Sequence, residues 1–242
     1  MLRYLKIVPA LGFGLVGRFS FADAAGLGVA PDSVTAIDVA LEPDAAMMNR
    51  ARADNARLLE NFPKGFALDE THHAHVTVLQ RFVRTADLDK VYAAVAAAMA
   101  MENPAARKLQ AVKYYYIPAG PIGLAGIVVE RTPDLLRLQQ KVIDGIAPYA
   151  AGTGTAVAFF TTAAEPTVDQ ATIDYIAAFV PDHSGAKFLP HVTIGVGTTA
   201  YLDAMLAAPF SAFTFSPAGA SVYQLGNYGT ARKNLKTMEF SS

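Results

Sequence analysis

An α+β chain folded as two lobes is what the sequence predicts for residues 25–242: two pseudo-two-fold related sheets, antiparallel or mixed, with helices outside and a central cleft. Three observations carry this. Strand-like and helix-like apolar periods are mixed along the chain without strict alternation, which disfavours a parallel α/β domain. The order strand, helical region, strand, helix, strand occurs twice. His-Val-Thr-Val (75–78) and His-Val-Thr-Ile (191–194) stand at the same place in each round, in a chain with only five histidines. The 242 residues are 52% hydrophobic and 17% charged, which supplies a sizeable core for a single bilobal domain.

Residues 1–24 are read apart from that domain. "MLRYLK" is a short basic start, "IVPALGFGLVG" (7–17) is an uncharged apolar run, and Ala22 and Ala24 form an A-x-A arrangement. These are the three parts of a signal peptide, and the run is too short to span a bilayer. Export to the periplasm or beyond is expected. Pro9 and Arg18 interrupt the pattern, so a first element of a cytoplasmic domain is the competing reading.

In the first round, Ile37, Val39 and Leu41 alternate on a strand over 35–44, ended by Pro43. A helix over 45–62 is closed by Pro63 and Gly65. Residues 75–83 are a strand. Thr85 caps the next helix, with Leu88, Val91, Tyr92, Val95 and Met99 at helical spacing. Strands over 108–118 and 123–132 flank the turn "PAGPIG".

The second round starts from that last strand. Thr132-Pro133 opens a helix carrying Leu135, Leu138, Val142 and Ile146. Residues 155–160 read as a strand. Thr167 and Gln170 form a capping box for a helix to about Val180. Residues 191–197 are a strand, 199–207 a helix, and 213–217, 221–226 and 236–240 further strands.

The formal net charge is −1. A protein that grips long nucleic acid carries a basic excess, so no long nucleic acid is expected to bind tightly. There is no cysteine, which excludes thiol nucleophiles, disulfides and cysteine-ligated zinc. No later run is long and apolar enough for a membrane helix, and no membrane partner is expected. The protein is expected to act as a monomer.

The two tetrapeptides carry the chemistry. In a strand, residues i and i+2 share a face, so His75 and Thr77 lie side by side, as do His191 and Thr193. Val76, Val78, Val192 and Ile194 anchor the strands from behind. Strict alternation continues the first face with Leu79 and Arg81 and the second with Gly195 and Gly197, glycines that leave room for a ligand, a bulge or bend being the competing reading. If the lobes face each other, two imidazoles and two hydroxyls converge. One neutral histidine takes a proton from the attacking oxygen, the other gives one to the leaving oxygen, and the hydroxyls stabilise the phosphoryl oxygens. No metal or other cofactor is required. His-His-x-His at 72–75 lacks the partners of a metal site. His72 and His73 are expected in a loop, and His183 facing water. Tyr114, Tyr115, Tyr116 and Tyr223 are expected as core and edge residues rather than stacking platforms.

The paired tetrapeptides resemble the H-x-[ST]-hydrophobic motifs of the two-histidine phosphoesterase superfamily, which includes 2′-5′ RNA ligase-like proteins and cyclic nucleotide phosphodiesterases. The resemblance spans roughly residues 33–240 in strand order and is specific only at the tetrapeptides. It implies a bilobal fold with the cleft between lobes and catalytic roles for His75, Thr77, His191 and Thr193. It also implies metal-independent hydrolysis of 2′,3′-cyclic phosphates, or 2′-5′ joining of RNA ends. The partner would be a small nucleotide or an RNA-end phosphodiester. A non-catalytic nucleotide or phosphate binder of the same fold is the other class, disfavoured because anion binding alone would use Arg or Lys.

Overall fold

The computed structural model describes residues 33–240 except 71 and 164. The segment read as a signal peptide, 1–24, lies outside them. Strand β1 (Val34–Pro43) carries the predicted alternation and leads into helix α1 (Ala45–Asn61). Asp44 caps that helix by accepting from the Ala46 and Met47 N–H groups. Strand β2 (Val76–Arg84) and helix α2 (Leu88–Glu102) follow. Thr85 does not cap α2. It starts a single tight helical turn before it, and its hydroxyl pairs with that of Thr35 at 2.8 Å.

Strands β3 (Leu109–Ala119) and β4 (Ile122–Val129) form the predicted hairpin. Helix α3 (Pro133–Ile146) starts at Thr132, whose Oγ1 accepts from the Leu135 N–H at 3.2 Å. The strand expected over 155–160 is absent; only a helical turn at Ala156–Ala158 forms. The segment reaches the sheet by one backbone bond, from the Phe160 N–H to the Leu225 carbonyl at the end of β7, and forms no ladder. Helix α4 (Gln170–His183) forms without the Thr167 capping box. Instead Asn227 Oδ1 accepts from the Asp169 N–H and the Thr172 hydroxyl, both at 3.0 Å. A tertiary partner thus takes the place of a local cap. Strand β5 (His191–Thr198), helix α5 (Thr199–Ala207) and strands β6 (Phe213–Phe215), β7 (Pro217–Leu225) and β8 (Ala231–Glu239) complete the fold.

The eight strands make one sheet in the order β6-β3-β4-β5-β2-β1-β7-β8, and every pairing is antiparallel. The two expected sheets are its halves, joined edge to edge through a single residue pair, Val76 with Val192. Read outward from that seam, β2-β1-β7-β8 mirrors β5-β4-β3-β6. The lobes do not coincide with the two rounds of sequence, because the middle of the chain (β3 to β6) makes one lobe and its two ends make the other. Helix α1 lies against β5 and α3 against β2, so each of these two helices covers the opposite lobe's copy of the motif strand. Val76, Val78, Val192 and Ile194 are fully buried in the main core with the apolar faces of these helices. Helix α4 lies on β2 from the other side, where Ile173 and Ile176 bury against Phe82 and Ala36.

Candidate active site

The seam pair fixes the geometry of the site. Val76 faces Val192 across an antiparallel step. Extending that register by one residue each way sets His75 opposite Thr193 and Thr77 opposite His191. All four alternate away from the buried valines, so they share the face opposite the main core. The histidines are diagonal neighbours across the seam, with backbones roughly 7–8 Å apart by sheet geometry. All four side chains line a single cavity of ≈ 700 Å³.

Strict alternation fails just past each motif, and at the same place. Ala40 pairs with Thr77 but Val39 with Leu79, so Val78 is an extra residue in β2. Gly126 pairs with Thr193 but Ala125 with Gly195, so Ile194 is the extra residue in β5. These are β-bulges, and each one flips the faces beyond it. Leu79 and Arg81 therefore turn away from the site, and Gln80 takes their place. Gly195 and Gly197 also turn away. A β-carbon on Gly195 would lie 2.8 Å from Asn55 Nδ2, and one on Gly197 would lie 3.0 Å from Leu58 Cδ2. These glycines admit helix α1, and the expectation that they make room for a ligand is overturned.

The bulge in β2 brings in two residues that sequence reasoning missed. Asp38, opposite Gln80 on β1, is fully buried. Its Oδ2 accepts from the Thr77 hydroxyl at 2.9 Å and from Gln80 Nε2 at 2.7 Å, and lies 3.4 Å from His75 Nε2. The sequence held one signal for Asp38. It is a lone carboxylate between Ala36 and Ala40 on the non-apolar register of a strand, which reads locally as a solvent-facing position.

His75 donates from Nδ1 to the His73 carbonyl at 2.7 Å, and its Nε2 is 3.2 Å from Thr77 Oγ1. Burial pulls this imidazole down, but the hydrogen bond and charge of Asp38, the His73 carbonyl and the charge of Glu42 outweigh it, so the group is raised above the ordinary histidine value. His191 donates from Nδ1 to the Leu189 carbonyl at 2.8 Å. Its ring meets Tyr115 edge-on at 4.8 Å. Burial lowers His191, the Leu189 carbonyl offsets this in part, and the charge of His75 lowers it further. The motif repeats, but the two imidazoles are displaced in opposite directions.

All five histidines of the chain line the cavity. His72 and His73 lie in the expected loop, with His72 stacked on Phe66 at 4.6 Å. His183 does not simply face water. It sits on the cavity wall at 4.4 Å from the Tyr175 ring, and burial lowers its pKa. The tyrosine run divides. Tyr114 joins Asp54 and Arg50 beneath the sheet, Tyr116 donates to Asp203 at 2.7 Å, and both Tyr115 and Tyr116 reach the cavity lining. Tyr223 is buried, as expected, and donates to Glu42 at 2.6 Å. Among the described residues, no group of three or more His, Asp and Glu side chains is arranged to hold a metal ion. No described helix is long and apolar enough to cross a membrane.

Family models and curated proteins give no match to this chain. Solved structures do. TT0787 of Thermus thermophilus aligns with TM-score 0.48 and 14% identity, over 85% of this chain and 97% of its own. E. coli LigT complexed with 3′-AMP aligns with TM-score 0.40 and 11% identity, over 87% of this chain and 100% of its own. E. coli LigT in apo form gives 0.38 and 9%, over 87% and 99%.

Proposed function

We propose that the chain is a phosphoesterase that opens a small phosphodiester, a 2′,3′-cyclic phosphate or a close analogue, by acid–base chemistry shared between His75 and His191. One observation carries this reading: the seam pair sets both imidazoles and both threonines on one face of one cavity. One imidazole lone pair takes a proton from water, and the water oxygen bonds to phosphorus. The bond from phosphorus to the leaving oxygen breaks, and that oxygen takes the proton of the other, charged imidazole. A threonine hydroxyl donates to a non-bridging oxygen, where charge builds in the transition state. The products are a phosphomonoester and a free hydroxyl. The resemblance of the tetrapeptides to those of the two-histidine phosphoesterases supports the same chemistry.

The walls favour a compact substrate of low charge. Among the described lining residues, Lys187 is the sole Lys or Arg, and its Nζ is held by Asp182 Oδ1 at 2.8 Å. A polyanionic strand would find few counter-charges there. The rings of Phe66, Tyr115, Tyr175 and Tyr228 on the wall suit an apolar or aromatic group attached to the phosphate. Incubating the purified protein, with EDTA present, with 2′,3′-cyclic nucleotides and with oligonucleotides ending in 2′,3′-cyclic phosphate is expected to yield phosphomonoesters. No turnover of any phosphodiester would refute the reading. Joined 2′-5′ ends would show that the same groups run transesterification, and loss of activity in EDTA would show that a metal takes part.

A further inference from the structure

The seam relates the two motifs, but it does not relate their surroundings. Carried across the seam, Asp38 corresponds to Leu124 and Gln80 to Val196, since Asp38 pairs with Gln80 and Leu124 with Val196 at the same step beyond each bulge. Glu42 follows Leu41, the partner of Val76, and so faces His75. Its counterpart facing His191 is Val128. Strand β1 thus sets two carboxylates along His75, while β4 sets leucine and valine along His191.

With Asp38 ionised, hydrogen-bond accounting around His75 leaves one consistent arrangement of protons. The His73 carbonyl accepts only, so Nδ1 carries a proton. The Asp38 carboxylate accepts only, so Thr77 gives its hydroxyl proton to Oδ2. Towards the imidazole, the Thr77 oxygen is then an acceptor, and Nε2 must be the donor. Both ring nitrogens are protonated. The cation also answers a buried charge, because Asp38 is fully buried and no other cationic partner is within ion-pair range among the described residues. Gln80 holds the carboxylate in place by donating from Nε2 to Asp38 Oδ2 at 2.7 Å and to the Gly229 carbonyl at 2.8 Å. At His191, among the described residues, only Nδ1 has a hydrogen-bond partner, the Leu189 carbonyl, and the ring lines the cavity with no carboxylate bonded to Nε2.

We propose, on the phosphodiesterase reading above, that Asp38 gripped by Gln80 is the positioning residue that makes His75 the proton donor and leaves His191 as the proton acceptor. His191 Nε2 takes the proton from water as the water oxygen bonds to phosphorus. The leaving oxygen, as its bond to phosphorus breaks, takes the Nε2 proton of His75. That oxygen therefore lies on the His75 side of the cavity. The threonines divide as well: Thr77 is committed to Asp38, while the Thr193 hydroxyl, which has no hydrogen-bond partner among the described residues, can donate to the phosphoryl oxygen.

The charged and titratable groups facing His75 are Asp38 and Glu42 of β1, Tyr223 of β7 with its ring at 6.2 Å, His73 in the preceding loop, and His191 across the seam. NMR titration of the imidazoles in the intact protein, assigned with His75→Gln and His191→Gln, reads the division directly. His75 is expected to titrate above His191. Asp38→Asn is expected to bring the His75 titration down by roughly 1–3 pH units, and the alkaline limb of kcat/KM with it, because the cation loses its carboxylate. His191 should move far less. Asp38→Asn should also slow a 2′,3′-cyclic nucleotide more than bis(4-nitrophenyl) phosphate, whose phenolate leaves without a proton. A wild-type His75 that titrates at or below His191 overturns the assignment, and so does an Asp38→Asn protein with both titrations in place. If Asp38→Asn fails to fold, the wild-type order decides. The titrations need no turnover, so an inactive protein would sink the phosphodiesterase reading while leaving the Asp38–His75 coupling to be decided by NMR.

Discussion

Substituting Gly195 by alanine separates two uses of the glycines that follow the second motif, lining a ligand or admitting a helix. Gly195 sits at φ +140°, a backbone region that side chains rarely adopt. Holding alanine there costs on the order of 1–3 kcal/mol. Its β-carbon would also lie 2.8 Å from Asn55 Nδ2 and 3.2 Å from Leu58 Cδ1. Asn55 has little freedom to yield. Its Nδ2 donates to the Phe66 and Ile194 carbonyls, each at 2.9 Å, and its Oδ1 accepts from the Leu68 N–H at 3.0 Å. Those bonds tie the bulge in β5 to the loop after α1, and displacing the amide costs about 1 kcal/mol per bond lost. The sum is a destabilisation of roughly 2–4 kcal/mol. For a chain of this size that lowers Tm by roughly 5–15 °C. Thermal and urea unfolding would measure it, alongside kcat and KM on the best substrate of the panel. Gly197→Ala should cost less, because the atoms it meets are the flexible ends of Leu58 and Leu202. A Gly195→Ala protein that unfolds with the parent but shows a raised KM would refute the helix-admitting role and restore the ligand-facing one.

His75→Ala and His191→Ala are each expected to lose on the order of 10²–10⁴ in kcat/KM, and the double variant far less than the product, because the two groups act in one proton transfer sequence. Full activity in the double variant would end the two-histidine mechanism. Thr193→Val should cost more transition-state binding than any other change that removes a single hydroxyl from the site, since its hydroxyl is uncommitted; an unchanged kcat would rule that out. An export reading of residues 1–24 predicts that protein recovered from its source cell begins near Ala25, and an intact Met1 form in the cytoplasm would remove it.

Much of the fold was legible locally. The alternation of Ile37, Val39 and Leu41 is β1, Thr132-Pro133 caps and starts α3, and α5 occupies the residues read as helix. Each depends on a preference expressed within a few residues. Failures came where a distant partner replaced a local one. Thr85 and Thr167 have the chemistry of caps, but Thr85 pairs with Thr35 and the start of α4 is held by Asn227. Phe159 fits a strand pattern, yet its ring packs edge-on against Phe82 on β2 at 5.7 Å, a contact with a residue distant in sequence.

The site divides in the same way. The repeated His-x-Thr determined by itself that each imidazole shares a face with a hydroxyl, because a two-residue period is a property of a single strand. The sequence also determined that the valines and isoleucine between and after them turn to the core. Tertiary structure decided everything that needs a second strand to define it. A bulge exists only as a mismatch between two strands, so the extra residues Val78 and Ile194, the inward turn of Gln80 and the outward turn of Gly195 were not written in either strand alone. Asp38 is one charge on an alternating strand until β2 pairs with it and sets it against His75. The repeat made the two histidines equivalent; carboxylates beside one and aliphatic side chains beside the other made them different.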